Sequence, residues 1–404
     1  MENCVITSAV RTAVGGYLGS LKTVPAQHLA KLVLQDSLKR SAITPADVDQ
    51  IIMGEVIGTT PNIARVSALL AGFGEEISAF TVDRQCGSSL QAVVSATHAI
   101  KAGEADVIIA GGAESMSRAP YYYPLTSRFE GYKLGHIQGY DAFSFASENA
   151  HPPELFPGLN MGLTAENVAT KYNITREMQD AFACDSQMKY REAAGEGKFQ
   201  EEILPVEVQV KKSSFIFDQD EHPKTDTNLE KLRKLKPVFK KDGTVTPGNA
   251  SGMNDGASAV VVMSETRAKE LGCKPLVKII SSAATGVDPS VMGLGPVPAI
   301  QKALAKAKIS LDEVGLFELN EAFAAQSLGC LLALGMEPGT ELYNRVNVNG
   351  GAIAHGHALG NSGTRILTTL IYEMKRRNVK YGVASLCIGG GQGIAVVVEN
   401  CMEN

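Results

Sequence analysis

The chain has 404 residues, of which 44% are hydrophobic and 20% charged, with 40 glycines and a net charge of −5. That balance describes a compact α/β protein long enough for two or three domains and excludes a disordered chain. The acidic excess gives no general attraction to nucleic acid or to an anionic membrane surface.

In chain order, Val5 to Ala9 reads as a strand, Gly15, Gly16 and Gly19 as a turn, and Ala26 to Ser41 as a helix. No basic leader precedes them and no apolar run reaches the ~18 residues of a membrane span, so neither a signal peptide nor a spanning helix is expected. Ile77 to Val82 predicts a further strand, and Leu90, Val93, Val94, Thr97 and Ile100 recur at helical spacing. Cys86 falls on the turn between the two. The free N–H groups and positive end of the helix favour a thiolate there, and Gly87 lets the backbone turn tightly. Most free cysteines are buried small hydrophobes, but a thiol so placed is a candidate nucleophile.

A repeat then organises the chain. Ser37 to Thr44 matches Ala303 to Ser310, residues 47–51 match 313–317 in the same register, and Phe80 to Val82 lies opposite Val346 to Val348. Asp106 to Gly112 answers Ser385 to Gly390. Two copies of one α/β unit are implied, each with mixed sheets covered by helices. Between them Tyr121 to Gly248 is rich in aromatics and prolines, with helices near Leu163 to Tyr172 and Thr175 to Ala194. The expected domains are residues 1–120 with 249–273, an inserted loop domain at 121–248, and 274–404. The basic run Lys231 to Lys236 reads first as a solvated face and second as an attractor of phosphate.

Three later stretches carry chemistry. Asn347 to Gly363 is glycine-rich, outside any regular element, flanked by a strand and a helix, and holds His355 and His357. No nearby Cys, Asp or Glu supplies metal-ligand spacing, so a general base for a cysteine is the better reading and no metal is expected. Cys387 ends a strand and opens a glycine run whose N–H groups can form an oxyanion hole; the spacing and the strand after Gly393 exclude a dinucleotide fingerprint. Asn320, in Glu318 to Gln326, is either a helix N-cap or a polar donor aimed into a cleft. Seven scattered cysteines without a C-x-x-C pair point to reduced thiols and a cytoplasmic setting.

Cys-Gly-Ser at Cys86, Asn-Glu-Ala-Phe at Asn320, the Asn-Gly-Gly-Ala-Ile-Ala-x-Gly-His run ending at His357, and Cys-x-Gly-Gly-Gly-x-Gly at Cys387 together resemble the thiolase family, in its acetoacetyl-CoA type. The resemblance covers the chain. It implies the thiolase fold, two related halves with a loop domain inserted in the first, and acetyl-CoA, acetoacetyl-CoA and CoA as substrates, with no separate cofactor. It also implies roles: Cys86 as acylated nucleophile, His357 as its base, Cys387 as second acid/base, and Asn320, through a water, on the enolate oxygen. The backbone N–H groups of Cys86 and Gly389 would hold the thioester oxyanion. Ser251, Ala250, Met161, Phe323 and Lys224 would bind coenzyme A, and the family assembles as homodimers or homotetramers. Lys224 stands where arginine is usual, Ala358 where proline is, and Asn160 where biosynthetic members carry a histidine that shapes the acetyl pocket. A broader-chain 3-ketoacyl-CoA thiolase and a non-catalytic acyl-CoA-binding protein are the alternatives; Cys387 speaks against a decarboxylating ketoacyl synthase.

Overall fold

In the computed structural model, which describes residues 2–401 apart from 59 and 133, the strand order spells out the duplication. The first copy supplies β1 (Cys4–Thr12), β2 (Gln50–Gly54), β3 (Ser78–Val82), β4 (Val107–Ser115) and β5 (Asn254–Ser264), ordered β3-β2-β4-β5-β1. The second supplies β6 (Val277–Gly286), β7 (Leu316–Leu319), β8 (Tyr381–Ile388) and β9 (Gln392–Asn400), ordered β7-β8-β9-β6. Senses agree as well: β2 and β4 are parallel like β7 and β8, and every later neighbour is antiparallel in both copies.

Where the copies meet, β1 pairs antiparallel with β6 through Cys4 with Ile279, Val5 with Lys278 and Ile6 with Val277. That register maps onto itself when the copies are exchanged, so the seam carries a local two-fold axis. Both strands shift register just beyond it, between Ile6 and Ser8 and between Ile279 and Ser281.

The principal helices are α1 (Ala26–Ser41), α2 (Ser88–Ala102), α3 (Met161–Tyr172), α4 (Arg176–Gly195), α5 (Pro296–Ala307) and α6 (Ser362–Arg377). The repeat extends to their caps. The residues after α1 and α5, Ala42 and Lys308, are both left-handed, at φ 55° and 56°. Each is followed by a capping box, Thr44 with Asp47 and Ser310 with Glu313. Leu90 and Val93 of α2 and Ile366, Leu367 and Leu370 of α6 share one core with Ile52, Ile108 and Val260 on one side and Leu386, Ile394 and Val396 on the other. Leu29 and Val33 of α1 cover the outer face of the first sheet, and Ile300 and Leu304 of α5 that of the second. The layers therefore run helix, sheet, helix, sheet, helix. Strands buried on both faces explain why Val107 to Ala113 reads as a continuous apolar run.

Three expectations need correction. Val346 to Val348 forms no strand; a single bridge from Val346 to Phe317 is all that answers β3, because Asn347 is left-handed at φ 45°. The stretch around His355 is not wholly irregular, since Ala352–His355 is a helical turn. The glycine match is out of register: Met53 pairs with Gly111 and Leu319 with Ser385, so Gly111 corresponds to Ser385 and not to Gly389. Each copy has a Gly-Gly pair near the end of an apolar strand, but the two pairs stand at different positions along it.

Candidate active site

The two-fold seam sets the N-termini of α2 and α6 against each other. The Thr364 N–H donates to Ser89 Oγ at 3.0 Å, and that hydroxyl donates to the Asn361 carbonyl at 3.0 Å. Cys86 lies just before α2 and His357 just before α6, so one junction brings both to a cavity of about 300 Å³. Gly389, Ser251, Ala250, Met161 and Phe323 line the same cavity. Its floor is stitched together by the backbone. Ala250 bridges Phe323, Met253 bridges His357, and the Ser251 N–H donates to the Ala322 carbonyl at 3.0 Å.

The turn at Cys86 is not made as the sequence suggested. Gln85 takes the left-handed conformation, at φ 46°, whereas Gly87 sits at φ −89°. A non-glycine residue held there stores strain that the surrounding packing must offset. Gly87 is needed for space, because a Cβ on it would fall 2.6 Å from Ile388 Cδ1. Nor is Cys86 a resting thiolate. Burial pushes it up to about 11, although the N–H groups of Gly389 and of Cys86 itself pull the other way. Desolvation outweighs the helix end, so the sulfur keeps its proton at neutral pH and needs a base.

His357 is arranged as one. Ser362 Oγ donates to the Ala358 carbonyl at 2.9 Å, so it accepts from His357 Nδ1 at 2.7 Å. The proton therefore sits on Nδ1 and Nε2 carries the lone pair, with no hydrogen bond inside the protein. Burial, then Arg365, lowers the imidazole to about 4, so it is neutral at pH 7. Its backbone N–H is fixed on Asn254 Oδ1 at 2.8 Å. A neutral imidazole with a free Nε2, lining the same cavity as a protonated thiol, can take that proton.

Cys387 stands behind the lining, packed with Met292, Ala322, Met161 and Phe323. It is pushed well above the usual thiol range by burial and then by the charge that Cys86 carries once ionised. Asn320 is fully buried, and neither atom of its amide has a hydrogen-bond partner in the protein. The capping reading fails, since the next helix starts at Ala324 with Phe323 as its cap. A buried amide left unpaired costs about 1–3 kcal/mol, which a purely structural asparagine would not leave standing. Lys224 is exposed and outside the cavity lining. Its loop reaches the cavity through His222, which packs so closely on Gly252 that a Cβ there would fall 2.2 Å from the ring. The solvated reading of the basic run holds for Lys231, paired with Asp226, and for Lys234, 2.7 Å from Glu230.

Sequence reasoning missed one wall. Phe143, Ala146, Ser147 and Ala150, with Gln85, Met292 and Phe239, also line the cavity. Phe143, Ala146 and Ser147 recur at i, i+3 and i+4 on one face of the helix Ala142–Glu148, with Ala150 just beyond its end, a spacing readable among the aromatics. Asn160 caps α3, accepting from the Leu163 N–H at 3.0 Å, while also facing the cavity. Among the described residues, no group of three or more His, Cys, Asp or Glu side chains is arranged to hold a metal ion, and no helix is long and apolar enough to cross a membrane.

Residues 4–266 match the thiolase N-terminal domain family and residues 273–400 the thiolase C-terminal domain family. An acetyl-CoA acetyltransferase of Escherichia coli is 49% identical over 401 residues, 99% of each chain. The crystal structure of the Bacillus anthracis acetyl-CoA acetyltransferase superposes with a TM-score of 0.93 at 43% identity, covering 99% of both chains. That of human mitochondrial 3-ketoacyl-CoA thiolase in complex with CoA does so at 0.92 and 43%, covering 99% of this chain and 98% of that one.

Proposed function

The chain belongs to the thiolase family, and from that premise we propose that it is an acetyl-CoA C-acetyltransferase, condensing two acetyl-CoA to acetoacetyl-CoA and CoA and running the reverse thiolysis. The observation that carries this reading is the meeting of a protonated Cys86 and a neutral His357 with a free Nε2 on one cavity wall.

His357 Nε2 takes the thiol proton as Cys86 Sγ attacks the carbonyl carbon of acetyl-CoA. The N–H groups of Cys86 and Gly389 stabilise the resulting oxyanion. Collapse breaks the bond to the CoA sulfur, which leaves with the proton of Cys387, and acetyl-Cys86 remains. The Cys387 thiolate then removes an α-proton from a second acetyl-CoA. Protonated His357 and Asn320, the latter through a water, hold the enolate oxygen. The enolate carbon attacks acetyl-Cys86, and the released Cys86 sulfur recovers its proton from His357. Every group ends as it began.

Ser251, Ala250, Met161 and Phe323 would hold the coenzyme near its thioester and Lys224 its phosphates; the thioesters are substrates, and no separate cofactor enters the reading. Residues 121–248 would serve as the coenzyme-binding insertion, with 1–120 plus 249–273 and 274–404 as the halves. A cytoplasmic setting fits seven free cysteines, two of which, Cys86 and Cys387, must stay reduced to react. The direct test is steady-state thiolysis of acetoacetyl-CoA, followed as loss of its enolate absorbance on adding CoA. No CoA-dependent loss would sink the reading.

A second reading, wider chain length, is favoured by one feature. The cavity shares Gln85 and Ala146 with an outer cleft of about 730 Å³ lined by Tyr121, Tyr122, Tyr123 and Phe145. Ala146, one of the two shared residues, is small and puts little bulk between the cavity and the cleft. Thiolysis of six- to ten-carbon 3-ketoacyl-CoA substrates is therefore expected alongside that of acetoacetyl-CoA. Ala146→Phe should depress the longer substrates by about 10–100-fold and acetoacetyl-CoA by less than about threefold. Equal losses on all chain lengths would remove this reading.

We also infer a homodimer across β3, extended to a homotetramer through the aromatic segment 121–140. β3 is the edge of its sheet, and Phe80, Leu69 and Leu70 beside it are 40%, 46% and 41% exposed. An open edge with exposed apolar side chains asks for a partner. Light scattering should give a tetramer or dimer mass, and Phe80→Lys should reduce it; a monomeric parent would reject the inference.

A further inference from the structure

We propose that His355 is a positioning residue for His357, its buried bond to Asp220 locking the loop that carries the base onto the loop that carries Lys224. The inference rests on the catalytic reading of Cys86 and His357 given above.

Both side chains are fully buried, and His355 Nδ1 lies 3.2 Å from Asp220 Oδ2. A carboxylate has no proton to give, so the ring donates. Asp220 is immobile in its own right: Arg11 of β1 donates to it at 2.7 and 3.1 Å, and the Val14 N–H at 2.7 Å. Arg11 is itself held by Glu202 at 2.6 Å. The ring cannot turn away, because Tyr190 and Phe199 meet it edge-on with centroids at 4.7 and 5.0 Å. Its Nε2 lies 3.3 Å from the Asn349 carbonyl, at the start of the same loop.

From that pin the chain has a short path to the base. His355 ends the helical turn Ala352–His355, and Gly356 reverses direction at φ 96°, a value that glycine adopts without strain. His357 follows. Gln187 makes a second tie between the same loops, donating to the Ile353 carbonyl at 3.0 Å and accepting from the Lys224 N–H at 2.9 Å.

The bland alternative is a core histidine that merely satisfies Asp220. Asp220 does not need it, since the guanidinium fork and the Val14 N–H already occupy both of its oxygens. An aliphatic side chain would also cost less to bury than an imidazole. What the ring adds is a fixed distance between the two loops, and displacements near 1 Å at a reacting pair cost about 10²-fold in rate.

The experiment compares the parent with His355→Leu, His355→Asn and His355→Gln. An asparagine amide N–H can stand where Nδ1 stood, and a glutamine one reaches toward Nε2. Two readouts are taken: the rate of Cys86 alkylation by iodoacetamide, read by intact mass, and kcat and KM for CoA in thiolysis. His355→Leu and His355→Gln should slow alkylation and kcat about 10–100-fold and raise the KM for CoA, while His355→Asn stays within about threefold of the parent. Parent-like rates in all three, or an asparagine variant as slow as the leucine one at an equal unfolding temperature, would overturn the proposal. Should His355→Leu fail to fold, the contrast between the asparagine and glutamine variants decides alone. Alkylation needs no CoA substrate. A parent without thiolysis would thus refute the functional reading, while the alkylation series would still test the positioning.

Discussion

Cys86→Ala is expected to abolish thiolysis and leave no acetylated protein by intact mass, and His357→Asn to remove the plateau from the pH profile of Cys86. The second result follows from two opposed displacements. Burial holds the Cys86 thiol near 11 and the His357 imidazole near 4. Between those values the thiol is protonated and the imidazole is neutral, so the pair is poised and its reactivity should vary little with pH. As pH falls through about 4 the imidazole takes a proton, the base is lost, and alkylation by iodoacetamide should drop. As pH rises toward 11 the thiol ionises unaided and alkylation should climb. Without His357 only the second limb remains. At pH 7 a thiol with a pKa near 11 is ionised to about one part in 10⁴, and a general base contributes about 10²–10⁴-fold. His357→Asn should therefore lose about 10³-fold or more near neutrality and gain tenfold per pH unit up to 11. A flat profile in that variant would mean that another group takes the proton.

The architecture was legible because duplication leaves marks that burial preserves. Ser37 to Thr44 and Ala303 to Ser310 agree because both must end a helix in a left-handed residue and enter a capping box. The register failed where function differs between the copies. The strand expected at Val346 to Val348 is replaced by the left-handed Asn347, whose side chain holds both Leu319 and Glu321. A match of residue types across a repeat says nothing about which copy has given up its strand to make a loop.

At the site, residue types were readable and their settings were not. Cys86 and His357 stand in turns, and Cys387 near the end of a strand that runs into glycines, all visible in the sequence. The strain at Gln85 was hidden, because any residue type can be forced to φ 46° by its neighbours and glycine at Gly87 was the nearer explanation. The resting protonation of Cys86 is not legible for a related reason: the helix end is local, whereas the desolvation that overrides it comes from burial in the folded chain. Likewise the bond that Ser362 accepts from His357 decides which nitrogen is free, yet a serine five residues on carries no signal of that role.

Cys387→Ala should separate the two halves of the reaction. Acetyl transfer to Cys86 asks Cys387 only to protonate a departing CoA thiolate, and a thiolate near pKa 8.5 is a competent leaving group without help. Carbon–carbon bond formation asks far more, since an α-proton of a thioester comes off only with a base in contact with it. The apolar side chains packed with Cys387, Met292, Ala322, Met161 and Phe323, cannot accept a proton in its place. The variant should therefore still be acetylated by acetyl-CoA, within about 10–100-fold of the parent rate, while condensation and deuterium uptake into acetyl-CoA from heavy water fall by about 10³–10⁴-fold. Intact mass reads the first quantity, and product analysis with proton NMR reads the second. Equal losses in both half-reactions would mean that Cys387 supports the site only as packing. Parent-like condensation would assign the α-proton to another base, and among the described residues lining the cavity His357 would be the candidate left.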